Sequence, residues 1–226
     1  MNRSTLQITL ILFFSFFSFS ILSGQNFPGF EIEMSKKSIH KAHVEKLVSI
    51  DSNKVFALRK THNNWSKVQT AFTNMPKKVF IESFDTRTLK SKKKVKVKMN
   101  YQGKSTRPFD LITMNQELYL LSTSYKRMKG MIYLLAQKVN QSTLIPSKEH
   151  INLGQIKSFP LDEGTFELVY SPDKSKMAIF AHTIRAKKKA YSITVVDSDL
   201  NKLWAVDQSY SQVEVFNQCS LNNDGT

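Results

Sequence analysis

The sequence predicts an all-β chain in which one four-stranded antiparallel unit is used about three times. Three observations lead there. From about residue 41 onward, apolar and polar residues alternate in short runs separated by turn-like clusters, and no long stretch shows helical spacing. A motif of strand, Asp or Asn, polar turn and Leu then recurs along the chain. A second turn recurs upstream of each copy of that motif and keeps nearly the same period.

The first motif is Phe84-Asp85-Thr86-Arg87-Thr88-Leu89, then Val139-Asn140-Gln141-Ser142-Thr143-Leu144, then the shortened Val196-Asp197-Ser198-Asp199-Leu200. Its Asp/Asn positions lie 55 and 57 residues apart. The second landmark is Asp51-Ser52-Asn53, then Asn115-Gln116-Glu117, then Ser171-Pro172-Asp173-Lys174-Ser175. Apolar strands leave these turns near Val55, Leu118 and Met177, with spacings of 63 and 59 residues. Two landmarks that keep their order and nearly their period indicate one repeated unit. The expected strands are 43–50, 54–60, 78–84 and 93–99 in the first unit, and 109–114, 118–123, 131–139 and 149–153 in the second. In the third they are 166–170, 176–182, 190–197 and 202–207.

The stretch Phe166-Glu167-Leu168-Val169-Tyr170-Ser171-Pro172-Asp173, with Tyr191 to Asp207 after it, resembles the blade pattern of bacterial WD-like, TolB-like β-propeller repeat proteins. In those repeats a Ser-Pro-Asp turn links two inner strands, and the likeness is good over residues 165–207 and faint over 43–153. The resemblance implies a β-propeller-like array of four-stranded antiparallel blades, about three plus the start of a fourth. It implies no activity, because the scaffold hosts many functions. Blades are expected at about 41–105, 106–160 and 161–210, with 211–226 partial. Val213 to Phe216 would open the fourth, and Asn222-Asn223-Asp224-Gly225 would be its inner turn. A hairpin turn without its second strand leaves an open edge, so the expectation is a piece of a longer protein, or a ring completed by blades from elsewhere.

Residues 1–24 have the form of a secretory signal peptide. Arg3 supplies the positive start, the 15 residues Ile8 to Leu22 form an apolar stretch interrupted by four Ser and Thr, and Ser23-Gly24 offer small residues for cleavage. The stretch is shorter than the ~20 residues of a comfortable span, so no transmembrane segment is expected after cleavage. Gln25 stands where a lipoprotein signal needs cysteine. Residues 25–40 form a lead-in, and an exported location follows: periplasm, cell surface or medium. With Cys219 as the single cysteine, an intrachain disulfide is excluded. The formal net charge is +15, which suits polyanions, anionic lipid or an acidic partner without choosing among them.

No G-x-S-x-G elbow, phosphate-binding glycine loop or H-E-x-x-H motif occurs, and no cofactor or metal is expected. His40 and His43 lack a nearby third ligand and are expected as a surface pair. Asp197, Asp199 and Asn201 imitate the opening of a calcium loop, but Lys202 and Gln208 replace its glycine and glutamate, so capping of a turn is expected. Along the basic run, Lys94, Lys96 and Lys98 alternate with Val95, Val97 and Met99, the pattern of a half-buried edge strand protected by lysines. Asn64-Trp65-Ser66 and Asn140-Gln141-Ser142 match a glycosylation acceptor, which matters only in a eukaryotic source.

One constellation points to binding. In a four-stranded meander the second-to-third connections and the links between blades share one end. They carry Lys126, Arg127 and Lys129, then Arg185, Lys187, Lys188 and Lys189, with Lys104 and Arg107 in a link. Trp65 falls in the longest of these connections, able to stack on a sugar or to pack beneath its own loop. The opposite end gathers Asp51, Glu117, Asp173, Asp197, Asp199 and Asp224 and is expected to hold fewer positive charges. The function expected is a non-catalytic exported module that binds an anionic surface polymer or a protein partner through this basic face. The alternative is the propeller domain of a larger secreted hydrolase. Nucleic acid ranks last as a partner, because no recognition motif for it is present and the chain is marked for export.

Overall fold

The computed structural model describes residues 43–51, 54–61, 78–88, 90–157, 164–183, 189–210 and 220–226. They form three four-stranded antiparallel sheets and one small hairpin. The first sheet runs β1 (His43–Asp51), β2 (Lys54–Thr61), β3 (Lys78–Asp85) and β4 (Ser91–Val97), each strand pairing with its successor. The hairpin β5 (Asn100–Tyr101) and β6 (Lys104–Ser105) leads into the second sheet of β7 (Arg107–Met114), β8 (Glu117–Lys126), β9 (Met131–Val139) and β10 (Ile151–Lys157). The third comprises β11 (Gly164–Tyr170), β12 (Lys176–Thr183), β13 (Lys189–Asp197) and β14 (Lys202–Tyr210). The chain is all-β, and its sheets are meanders of the kind that form propeller blades.

The observed strands correct the expected ones at several ends, β14 among them, which runs on to Tyr210 where 207 was expected. β4 begins two residues early, at Ser91, and β8 continues to Lys126 where 123 was expected. β10 occupies Ile151–Lys157 where 149–153 was expected. There the chain first turns back along the end of β9: Val139 bridges Pro146, Ser147 N donates to Lys138 O at 2.7 Å, and Gln137 Nε2 donates to Ser147 O at 2.6 Å. The hairpin β5–β6 was not foreseen at all.

Two apolar cores lie between successive sheets. Phe56, Leu58, Val79, Ile81 and Val97 of the first sheet meet Leu111, Leu118, Leu120 and Val139 of the second. The opposite face of the second sheet, with Ile112, Met114, Tyr119, Leu121, Leu134 and Leu153, meets Phe166, Met177, Ile179 and Val196 of the third. Adjacent residues such as Leu118 and Tyr119 therefore enter different cores, as the alternation of side chains along a strand requires. This explains why β8 reads as an unbroken apolar run, Leu118 to Leu121: both of its faces are covered.

The two full copies of the recurring Asp/Asn-to-Leu motif share one cap. Asp85 Oδ1 accepts from the amides of Arg87 and Thr88 at 3.0 and 2.9 Å, and Asn140 Oδ1 accepts from Ser142 and Thr143 at the same distances. In the shortened copy Asp197 Oδ1 accepts from Asp199 and Asn201. The turn-capping expectation for Asp197 holds, and among the described residues no cluster of three potential metal ligands exists. In the second and third copies the leucine takes left-handed backbone, φ 61° at Leu144 and 65° at Leu200. That conformation costs a residue with a side chain about 1–2 kcal/mol. Burial of the leucine, worth about 1.5–3 kcal/mol, offsets it. Leu144 is fully buried in the core between sheets one and two, and Leu200 is buried between sheets two and three.

The inner turns also repeat. Asp173 Oδ1 accepts from Ser175 N and Ser175 Oγ, and Asp224 Oδ1 accepts from Thr226 N and Thr226 Oγ1. Lys174 and Gly225 take the same left-handed place, at φ 57° and 94°. Residues 222–226 thus repeat the inner turn of the third sheet and dock on it. Asn223 Oδ1 accepts from Asp173 N, Trp204 Nε1 donates to Gly225 O at 3.1 Å, and Leu221 is buried with Ala178 and Val195. Val213 to Phe216, expected to open a fourth sheet, lies outside the described residues.

Candidate anion-binding face

Antiparallel order fixes which connections share an end of each sheet, and hydrogen bonds between sheets bring those ends together. Lys54 Nζ donates to Gln141 Oε1 at 3.2 Å, Gln141 Nε2 donates to Gln116 O at 2.8 Å, and Asn115 Nδ2 donates to Asp199 Oδ1 at 3.0 Å. The first-to-second and third-to-fourth turns of the three sheets therefore form one interlocked turn end.

Among the described side chains, acidic groups of that end are committed to structure. Asp85 pairs with Lys92 at 2.9 Å and Glu117 with Lys138 at 2.8 Å. The Lys92 ammonium, followed by the Thr88 amide, holds the Asp85 carboxyl well below the usual carboxylate range. The Ser175 amide and the Ser171 hydroxyl do the same, less strongly, for Asp173, and the Thr226 amide and hydroxyl for Asp224. Glu117 in turn holds the Lys138 ammonium above its ordinary value. Lys54, Arg87, Lys90, Lys92, Lys138, Lys174, Lys176 and Lys202 also lie at or beside these turns. Turns need polar residues of either sign, so both signs accumulate. The two ends differ in where their carboxylates lie, not in the presence of lysine.

The other end is built from the second-to-third connections and the links. Between the first two sheets the link runs from Lys98 to Arg107 through the hairpin β5–β6, and in the second sheet a single 3-10 turn, Arg127–Lys129, joins β8 to β9. These two segments carry Lys98, Lys104, Arg107, Lys126, Arg127 and Lys129 and no carboxylate. They meet through Lys126, whose Nζ lies 5.5 Å from the ring centre of Tyr101 and 5.1 Å from that of Tyr133. Cations at that range are attracted by the ring face. The Tyr101 ring lies 5.0 Å from that of His150. Tyr101 reaches this position because Gln102 and Gly103, at φ 51° and 76°, close the hairpin in two left-handed residues.

Of the residues expected to form the face, the structure places Lys126 at the end of β8, Arg127 and Lys129 in the turn after it, and Lys189 at the start of β13, opposite Tyr210. Lys129 is exposed and Lys126 half-buried. Trp65, Arg185, Lys187 and Lys188 lie outside the described residues, as do His40 and Cys219. The control strand conforms to expectation: Lys94, Lys96 and Lys98 are exposed, whereas Val97 is buried and Val95 and Met99 are half-buried. Tyr101, Tyr133 and His150 were missed. The Gln102-Gly103 pair was a signal for the hairpin, but nothing local links Tyr101 to Tyr133 or His150.

No family model matches the chain. No curated protein matches it either. Among solved structures it is similar to the crystal structure of endo-arabinase from Bacteroides thetaiotaomicron VPI-5482, at 12% identity and a TM-score of 0.43. The alignment covers 69% of this chain and 56% of that one, so the chain spans little more than half of that protein's length. The description of the fold rests on the three sheets themselves.

Proposed function

We propose that this chain is an exported, non-catalytic binding module that engages an anionic surface polymer through the end formed by its links and second-to-third connections. The observation that carries the proposal is the contrast in carboxylates. At the turn end the acids are tied into caps and ion pairs. The link from Lys98 to Arg107 and the connection from Lys126 to Gly130 offer six cations and no acid, and the acids of the links are confined by sequence to Asp162 and Glu163 between the second and third sheets. A local excess of positive charge raises the local concentration of a polyanion and its rate of arrival.

The test replaces Lys126, Arg127, Lys187, Lys188 and Lys189 with glutamine and measures retention on heparin as a function of salt. Exposed charges act weakly one by one and are screened by salt, so a collective loss and a flatter salt dependence are expected. The control replaces Lys94 and Lys96 of the edge strand β4, which should change solubility more than retention. Equal losses from both sets would mean that net charge alone governs binding, and the proposal would fall.

A further inference from the structure

Lys126 has two tyrosine rings as partners, whereas Lys94 has a single ring, Phe80 at 4.9 Å, and Lys54, Lys93 and Lys176 donate to amide or carbonyl oxygens. Lys46, Lys60, Lys92 and Lys138 each face a carboxylate: Asp110, Glu45, Asp85 and Glu117. No carboxylate among the described residues pairs with Lys126; two tyrosine rings hold it instead. An ion pair would cancel its charge, whereas ring faces fix the ammonium and leave its hydrogen-bonding protons and positive charge available. The rings come from separate elements. Tyr133 on β9 stands opposite Ser124, two residues before Lys126 and so on the same face of the sheet. Tyr101 is presented by the link hairpin and braced by His150, and its hydroxyl oxygen accepts from Gln102 Nε2 at 3.2 Å, leaving the hydroxyl proton free to donate.

We propose that Tyr101, Lys126 and Tyr133 form a subsite for a carboxylate-bearing sugar residue, with the ammonium taking the carboxylate and the tyrosine hydroxyls and ring edges bordering the sugar. This rests on the polyanion function proposed above and names the residue class its polymer contains. A flexible surface lysine must be ordered before it can bind; this one is already placed, so it contributes more than its neighbours.

The experiment measures binding of the intact chain to a short oligogalacturonate and to an oligoglutamate of equal charge. K126Q should weaken oligogalacturonate binding about tenfold, as loss of a charged hydrogen bond does. K129Q, an exposed lysine outside the rings, should change it less than about twofold. Y101L alters no charge and should weaken binding about threefold, whereas Y101F, which keeps the ring and loses only the hydroxyl, should weaken it less than Y101L does. Equal effects of K126Q and K129Q, or no effect of Y101L, would overturn the subsite and leave the basic face standing. Oligoglutamate bound as tightly as oligogalacturonate would overturn the sugar assignment. Wild-type chain that binds heparin but not oligogalacturonate would do the same. Binding to none of the three would remove the basic face as well.

Discussion

Replacing Leu144 by alanine and by glycine tests what the recurring leucine does. Leu144 is fully buried in the core between the first two sheets, at φ 61°. Truncation to alanine removes buried methyl groups and opens a cavity, a change that costs about 2–5 kcal/mol at a site that cannot collapse. Alanine keeps its Cβ in the left-handed region, so the local conformational cost of about 1–2 kcal/mol persists. Glycine removes slightly more side chain but is free of that cost. At an ordinary strand position glycine would be worse than alanine by about 0.5–1 kcal/mol. Here it should be equal or better. Urea unfolding of the intact chain, followed by intrinsic fluorescence, should therefore place L144A about 3 kcal/mol below wild type and L144G no lower than L144A. A loss below about 1 kcal/mol in L144A would show that the leucine does not seal the interface. A glycine variant clearly less stable than the alanine one would show that the left-handed backbone carries no cost.

The caps predict acid lability. Asp85, Asp173 and Asp224 are held below the ordinary carboxylate value in the folded chain. Their stabilisation is therefore complete above the unfolded value near ~3.9 and is lost as pH falls through the lower folded values. Thermal unfolding between pH 7 and 2 should show the midpoint falling below about pH 4. D85N should reduce the fall, because asparagine makes the same two amide contacts in the homologous turn at Asn140. A wild-type midpoint constant to pH 2 would refute this. In the first sheet Glu82 Oε2 lies 2.5 Å from Arg59 Nε, with both side chains mostly buried. E82Q should cost about 3 kcal/mol by chemical denaturation, because it strands a buried guanidinium. The double replacement R59M/E82L should recover most of that loss.

Legibility in the sequence followed the range of the physics. The turns could be read because Asp85, Asn140 and Asp197 act on amides two to four residues away, and a short cap leaves its mark in the local sequence. Strands were readable where one face or both are buried. β10 was misplaced because the segment after Leu144 follows β9 through Gln137 and Ser147, a choice made by tertiary contact. The charged connection at Lys126–Lys129 was visible as composition. Its clamp was not, because Tyr101, Lys126 and Tyr133 meet only through sheet register and a two-residue hairpin.

The buried leucine has a further consequence for how such a chain could grow. Leu144 and Leu200 each belong by sequence to one sheet and by packing to the core it shares with the sheet before. The second and third units therefore each place a knob in the core shared with the sheet before, a heterologous head-to-tail contact. A tandem duplication of such a unit brings both halves of its own interface with it. Nothing in the knob counts the copies; the rotation from one sheet to the next decides whether the series closes on itself.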